Sequence, residues 1–373
     1  MRNLLLILTH RYSFASHLPF TKKYNELILK TGLKVIYVNN PQDIMPNINK
    51  YKNELYGIAI YEQRIYDTYL YDNNLHIIDV FNLLQDLKRQ GVKIFPDLDD
   101  QYFYDTKKYY KKMQHHHKEL NMPNSKAIVF KKFNPDDYQS YIDKLFKKVY
   151  RLFKKGIFKI IIKKGFTYEQ LGVVLLELNN NDNMEEIKDK LIKKLDRLEY
   201  IEDWKTNKMI PITELERGID RVIIVQPYNE IVADRTKEYR CFFINGEFVN
   251  FFAFGAKWTK DGFIRYPNKC YEIDNKIHEH VFQMAKNTFN NFIMKYAKTK
   301  PPIIRIDISY MEKDYDDAIM IDNKYYRFYV NEIEIQPTFY VNLPLVCKGV
   351  NMSTIDYQDK LARALVNNIS GSK

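Results

Sequence analysis

Two short stretches of this 373-residue chain place charged residues at the spacing of a β-strand: Arg305-Ile306-Asp307-Ile308 and Val330-Asn331-Glu332-Ile333-Glu334-Ile335. Apolar and charged residues alternate in both, which predicts strands. On a strand, residues two apart point the same way. Arg305 therefore shares a face with Asp307, and Glu332 with Glu334. A polar, tyrosine-rich stretch joins the two strands as in a long hairpin. If they pair, three carboxylates and one guanidinium meet on one patch. Like charges a few ångströms apart cannot all stay ionised unaided. The usual remedy is Mg²⁺, a hard ion whose shell nucleotide phosphates complete; Mn²⁺ is the alternative.

Other residues could serve the same ligand. The strand Phe158–Lys163 delivers Lys163 at its end, where an ammonium could meet phosphate oxygens. The following loop, Gly165 to Gly172, could fold over phosphates, its glycines permitting close backbone approach. The apolar strand Val222–Val225 runs into a bend at Gln226-Pro227-Tyr228. Backbone groups at such a bend could bond an adenine edge. Glu238 and Arg240, again two apart, offer a carboxylate for ribose hydroxyls and a guanidinium for phosphate. The ordinary reading of each alone is a strand end or a surface ion pair.

In this order the elements resemble the ATP-grasp superfamily, from about Asp105 to Thr338. Arg305-Ile306-Asp307 with Glu332-Ile333-Glu334 looks like the closing motif of D-alanine–D-alanine ligase. Glu238-Tyr239-Arg240 is similar to the pair found in glutamate-adding ligases that modify a ribosomal protein. The resemblance implies an α/β (α+β) fold in which two α+β subdomains grip ATP, preceded by an open, mostly parallel α/β domain. The segments are then 1–103, 104–220 and 221–370, the second carrying the phosphate-facing lysines and the third the hinge strand and metal site. It also implies roles: Asp307, Glu332 and Glu334 as metal ligands, and Lys163 with Lys107 or Lys108 on nucleotide phosphates. Gln226, Tyr228 and Glu238 join them in binding the nucleotide, while Arg305 and Arg240 act on the transferred phosphate and the reacting acyl group. The implied activity is an ADP-forming carboxylate–amine ligase passing through an acylphosphate, with an amino acid, peptide or protein tail as substrate and a homodimer as a common assembly. A phosphotransferase acting on a hydroxyl and a noncatalytic basic binder are the alternatives. The chain departs from the pattern in three places. Glu334 stands where the family has asparagine, Gln336-Pro337-Thr338-Phe339 replaces Pro-Gly, and the loop after Lys163 is poor in glycine.

The elements that must hold these residues read as a globular protein, 45% hydrophobic. Strand candidates are Leu4–Leu8, Val35–Val38, Ile58–Tyr61, His76–Ile78, Val92–Phe95, Ala127–Phe130, Lys159–Ile162 and Val173–Leu176. Tyr239–Ile244 and Phe248–Phe254 flank Asn245-Gly246, a strong hairpin signal. Helical spacing covers Thr21–Lys30, Phe81–Arg89, Lys107–Leu120, Tyr138–Phe153, Met184–Leu198, Lys276–Ala297 and Asp356–Asn368. Asp97, Asp99 and Asp100 read as caps of a following helix. His115-His116-His117, His278 and His280 read as surface positions, Trp204 and Trp258 as packing residues, and Lys257 as a surface residue near an acceptor pocket. A net charge of +11 favours an anionic substrate, such as an acidic peptide or protein. Basic and aromatic residues are spread along the chain and not gathered into one module, which argues against nucleic acid. Three unevenly spaced cysteines suit a reduced, cytoplasmic setting. Leu4–Leu8 is too short to span a membrane.

Overall fold

The computed structural model describes residues 2–8, 18–61, 73–165, 172–203, 208–230, 238–253, 256–259, 262–265, 269–271, 275–335 and 354–371. The chain forms two compact units. One comprises Met1–Ile65, Leu84–Gln101 and Asn229–Lys373, the other Tyr66–Leu83 and Tyr102–Tyr228.

The first unit opens with a parallel sheet in the order β2-β1-β3-β4, from β1 (Leu4–Leu8), β2 (Lys34–Val38), β3 (Leu55–Ile60) and β4 (Lys93–Phe95). Helices α1 (Leu18–Leu29) and α2 (Ile44–Tyr51) link its first three strands. Every side chain of β1 is buried, as expected for a parallel strand covered on both faces. His76–Ile78 is not a strand. It is the start of α3 (Ile77–Arg89), because the Asp79 carboxylate accepts the His76 backbone N–H at 2.7 Å and caps the first turn. Asp97 opens α4 (Leu98–Asp105) in a similar way, accepting from the Asp99 N–H at 2.9 Å.

The second unit is built on an antiparallel sheet in the order β5-β10-β6-β7. Its strands are β5 (Lys126–Phe130), β6 (Lys159–Lys164), β7 (Val173–Glu177) and β10 (Arg221–Pro227), with a separate β8–β9 hairpin, Tyr200–Asp203 and Lys208–Pro211. The expected helix Lys107–Leu120 is shorter. Lys107 takes a left-handed φ of 59°, so the helix α5 begins only at Tyr109 and stops at His116, and a 3₁₀ turn covers Lys118–Leu120. Helix α6 (Tyr138–Phe153) buries Tyr141, Ile142, Leu145, Val149 and Leu152, one face of the helical period. With Ile187, Leu191 and Leu195 of α7 (Met184–Leu195) it covers Ile160, Ile162, Ile223 and Val225 of the sheet.

The chain then returns to the first unit, whose second sheet has the order β15-β12-β11-β16-β18-β17. Strands β11 (Tyr239–Ile244) and β12 (Glu247–Ala253) form the expected hairpin. Asn245 and Gly246 have φ of 49° and 79°, the two positive angles that a type I′ turn requires. A small hairpin pairs β13 (Ala256–Thr259) with β14 (Gly262–Arg265), and β15 (Lys269–Tyr271) pairs with β12. The sheet centres on β16 (Ile303–Met311), with β17 (Ile319–Ile321) and β18 (Lys324–Glu334) beyond it.

Helix α8 (Lys276–Asn287), extended by a π-helical turn Thr288–Ile293, packs across β11, β16 and β18. His278 belongs to its buried stripe with Val281 and Ala285 and is 5% exposed, so it is not a surface residue as the sequence suggested. Its ring meets Tyr239 edge-on at 5.5 Å. Helix α9 (Thr354–Ser370) lies against α1 and the opposite face of the sheet. Through Leu361, Leu365 and Ile369 it joins Leu5, Ile7 and Tyr24 to Phe242, Ile244 and Ile303 in one core. The parallel N-terminal sheet and the C-terminal sheet are therefore packed as a single body. Among the described residues no helix is long and apolar enough to cross a membrane.

Gly246 gives the register of β11 a direct test. An L-residue in this left-handed position costs about 1–2 kcal/mol. Gly246→Ala should lower the urea midpoint by that equivalent at unchanged slope.

Candidate active site

The central strand β16 positions the charged face. Its register places Arg305 opposite Glu334 and Asp307 opposite Glu332 on β18, and Arg240 of β11 opposite Asp307 on the other flank. Directly paired residues of antiparallel strands project to the same side. Arg240, Arg305, Asp307, Glu332 and Glu334 thus share a face. Ile306 and Ile333 alternate to the other side, where α8 packs.

One guanidinium gathers the carboxylates. Arg305 Nε lies 2.7 Å from Asp307 Oδ1, and its Nη2 lies 2.9 Å from Oδ2. The same Nη2 reaches Glu332 Oε2 at 3.3 Å and Glu334 Oε1 at 2.8 Å. Asp307 is 1% exposed, while the Glu332 and Glu334 side chains keep 25% and 30% of their surface in solvent. The patch thus runs from a buried aspartate to two accessible glutamates.

A bulge completes it. Ile308 pairs with Val330 while Asp307 pairs with Glu332, leaving Asn331 as the extra residue on β18. The re-aimed Asn331 amide donates to the buried Glu238 carboxylate, which enters the strand carrying Arg240. No alternation rule anticipates this contact, because the bulge itself breaks the alternation. Glu238, Asp307, Glu332 and Glu334 outnumber Arg240 and Arg305, so the face is negative when all are ionised. Burial pushes the Asp307 carboxyl up to about 7; Arg305 and Arg240 pull it down, and Glu238 and Glu332 add to the rise. Cys241, buried between the strands, has its thiol raised by burial and then by Asp307.

Among the described residues no three His, Cys, Asp or Glu side chains are placed as a metal cluster. The carboxylates turn instead to Arg305. Their chemistry nevertheless fits Mg²⁺: an all-oxygen set, two members accessible, with an excess of negative charge that a hard cation would offset.

The second unit carries the lysines. Lys163, on β6, pairs with Ile224 and Val173 and faces away from the core that holds Ile160 and Ile162. Gln226 lies opposite Ile161 and shares the face of Lys163. The Tyr228 N–H is already taken by the Lys159 carbonyl at 2.9 Å. Lys108 forms an ion pair with Asp220 and sits 4.5 Å over the Tyr102 ring. Lys107 is 9% exposed in its left-handed turn. The loop 166–171, Gln336–Phe339 and Trp204 lie outside the described residues, as do the side chains of Lys257 and Trp258.

No protein-family model matches the sequence, and no curated protein sequence matches it. Solved structures do. One is a D-cycloserine synthetase, DcsG, with a TM-score of 0.57 and 12% identity over 98% of this chain and 100% of that one. Another is a D-alanine–D-alanine ligase from Bacillus anthracis, with a TM-score of 0.50 and 13% identity over the full length of both. With its parallel sheet followed by two antiparallel sheets, the chain has the ATP-grasp fold.

The raised Asp307 carboxyl makes a signed prediction. A group whose proton is held more tightly when folded stabilises the fold below its unfolded pKa, and that contribution is lost as pH rises through the folded value. Without divalent ions, the wild type should lose stability relative to Asp307→Asn between about pH 4 and 7. Paired urea titrations across that range check this; parallel curves would refute it.

Proposed function

We propose that the protein is an ATP-dependent, ADP-forming carboxylate–amine ligase acting on an amino acid, peptide or protein tail. The observation that carries this reading is the face of β16. One arginine and three carboxylates stand there in cross-strand register, in a chain with the ATP-grasp fold. Structural neighbours with this fold include two named for ligating or synthesising small amino-acid compounds.

In the reaction, a substrate carboxylate oxygen attacks the γ-phosphorus of ATP. The bond from that phosphorus to the bridging oxygen breaks, and ADP departs. An amine then attacks the acylphosphate carbonyl, the carbon–oxygen bond to phosphate breaks, and the amine surrenders a proton to give the amide. Mg²⁺ bound by Asp307, Glu332 and Glu334 would supply charge neutralisation at the phosphates; Mn²⁺ could replace it. Lys163 binds phosphate oxygens, joined by Lys107 or Lys108. Glu238, oriented by Asn331, receives ribose hydroxyls, while Gln226 and Tyr228 flank the base. Arg240 contacts the transferred phosphate. Arg305 stabilises the acylphosphate and the tetrahedral species that follows. Preorganised charge of this kind is the largest single contribution in most such reactions. The excess of cationic residues in the chain suits an acidic peptide or protein as substrate.

Glu332→Ala should leave the fold intact and lower acceptor-dependent ADP release by about 10²-fold or more. Arg305→Ala should bind ATP normally yet lose product formation to a similar degree; weakened ATP binding alone would reassign its role. Asp307→Asn should lose the Mg²⁺-dependent part of nucleotide affinity. Product mass tests the reaction class, because ligation joins acid and amine with loss of water. A hydroxyl acceptor that instead gains a phosphate group would establish a phosphotransferase.

A further inference from the structure

A ladder of buried charge lies under the end of β6, and the proposed reaction does not use it. Lys164 is fully buried, with Nζ 3.0 Å from Glu216 Oε1. The second Glu216 oxygen is 3.1 Å from Arg221 Nε. Arg221 Nη2 then reaches both Glu199 oxygens, at 2.8 and 2.7 Å, and Thr213 donates to the same carboxylate. The Arg221 guanidinium also lies 4.5 Å from the Phe133 ring and 4.8 Å from that of Tyr141. Two cations and two carboxylates balance.

Stability does not account for such an arrangement. Interior ion pairs at best break even against apolar packing of similar volume. What they add is placement, because a charge buried away from its partner would be strongly penalised. β6 needs that placement. Its sequence, Lys159-Ile160-Ile161-Ile162-Lys163-Lys164, does not alternate. The inward face carries Ile160, Ile162 and Lys164, and a one-residue slip would turn Lys159, Ile161 and Lys163 inward instead. The one lysine that the native register places inside is neutralised there by Glu216, which adds to the preference of the two isoleucines for that face.

The next residue extends the effect. Gly165 donates its N–H to the Val222 carbonyl at 3.0 Å. A methyl group there would lie 2.7 Å from the Thr106 carbonyl carbon, so the strand end abuts the residue preceding Lys107. The position of β6 therefore governs both Lys163 and Lys107.

We propose that Lys164 and Glu216 are positioning residues, whose buried ion pair anchors the end of β6 and so holds Lys163 toward the nucleotide phosphates. The inference rests on the ATP-binding reading above. The test compares the wild type with Lys164→Met, with Lys164→Met/Glu216→Met and with the conservative Lys164→Arg. Each is titrated with a non-hydrolysable ATP analogue and Mg²⁺. Amine acetylation of Lys163, with and without the analogue, is mapped by peptide mass spectrometry, and thermal midpoints are recorded. Wild type should bind the analogue and protect Lys163. Both methionine variants should bind at least about tenfold more weakly, the equivalent of one pKa unit of lost interaction, and lose the protection. The double variant, with no buried charge left unpaired between these two positions, should keep a near wild-type midpoint and carries the measurement if the single variant does not fold. Lys164→Arg should restore protection. A folded double variant with wild-type affinity and protection overturns the positioning role and leaves the ATP-binding reading standing. A wild type that does not bind the analogue overturns that reading and this inference with it.

Discussion

The Arg305 guanidinium is the constraint on which the charged face depends. Asp307 is buried on the central strand of a six-stranded sheet, flanked by Arg240 on one side and Glu332 on the other. An isolated carboxylate there would be neutral or would unfold its surroundings. Two parallel bonds from Arg305 hold it, and the remaining reach of the same group tethers Glu332 and Glu334. Burial is the main reason that the Asp307 carboxyl is raised; Arg305 and Arg240 work against the rise, and Glu238 and Glu332 add to it. A face assembled this way carries more negative than positive charge. Its deficit is what a divalent ion with an anionic ligand would fill.

The second unit carries its proposed phosphate lysines in two adjacent pairs. Lys163 and Lys164 are chemically identical neighbours on opposite faces of β6, and Lys164 is the one buried beside Glu216. Lys107 and Lys108 form a second such pair. Asp220 and the Tyr102 ring engage Lys108, while the left-handed turn at Lys107 gives its neighbour a different direction.

Much of this was legible in the sequence because it follows from short-range rules. Period-two alternation at residues 305–307 and 332–334 gave the pairing of the two strands, and Asn245-Gly246 gave the hairpin. The apolar run Leu4–Leu8 gave a buried parallel strand. The failures have specific causes. His76–Ile78 looks strand-like, but a single carboxylate three residues on nucleates a helix. His278 is polar by type, yet it lies on the inward stripe of its helix, where Asn275 and Tyr239 satisfy it. The Lys107 turn interrupts a helical pattern through a backbone angle that no side-chain period records. Asn331 reaches Glu238 only because a bulge displaces it. Packing of the first and last sheets through α9 depends on contacts between residues more than three hundred positions apart, as between Tyr56 and Ile369.

Glu334, where the ATP-grasp resemblance would place an asparagine, is consistent with the same charge accounting. An asparagine paired with Arg305 would leave the guanidinium facing two carboxylates, and the face would be closer to neutral before any ion arrived. With Glu334 the third anion is already bonded to Arg305 at 2.8 Å. A cation that draws Glu332 and Glu334 toward itself must therefore compete with the arginine for the same oxygens. That competition has a physical consequence: ion binding and release of the guanidinium are linked, since each carboxylate oxygen withdrawn leaves Arg305 with unsatisfied donors. An incoming acyl or phosphoryl oxygen is the acceptor that would satisfy them. Under the proposed reading, the extra carboxylate would make the availability of Arg305 depend on whether a metal is bound.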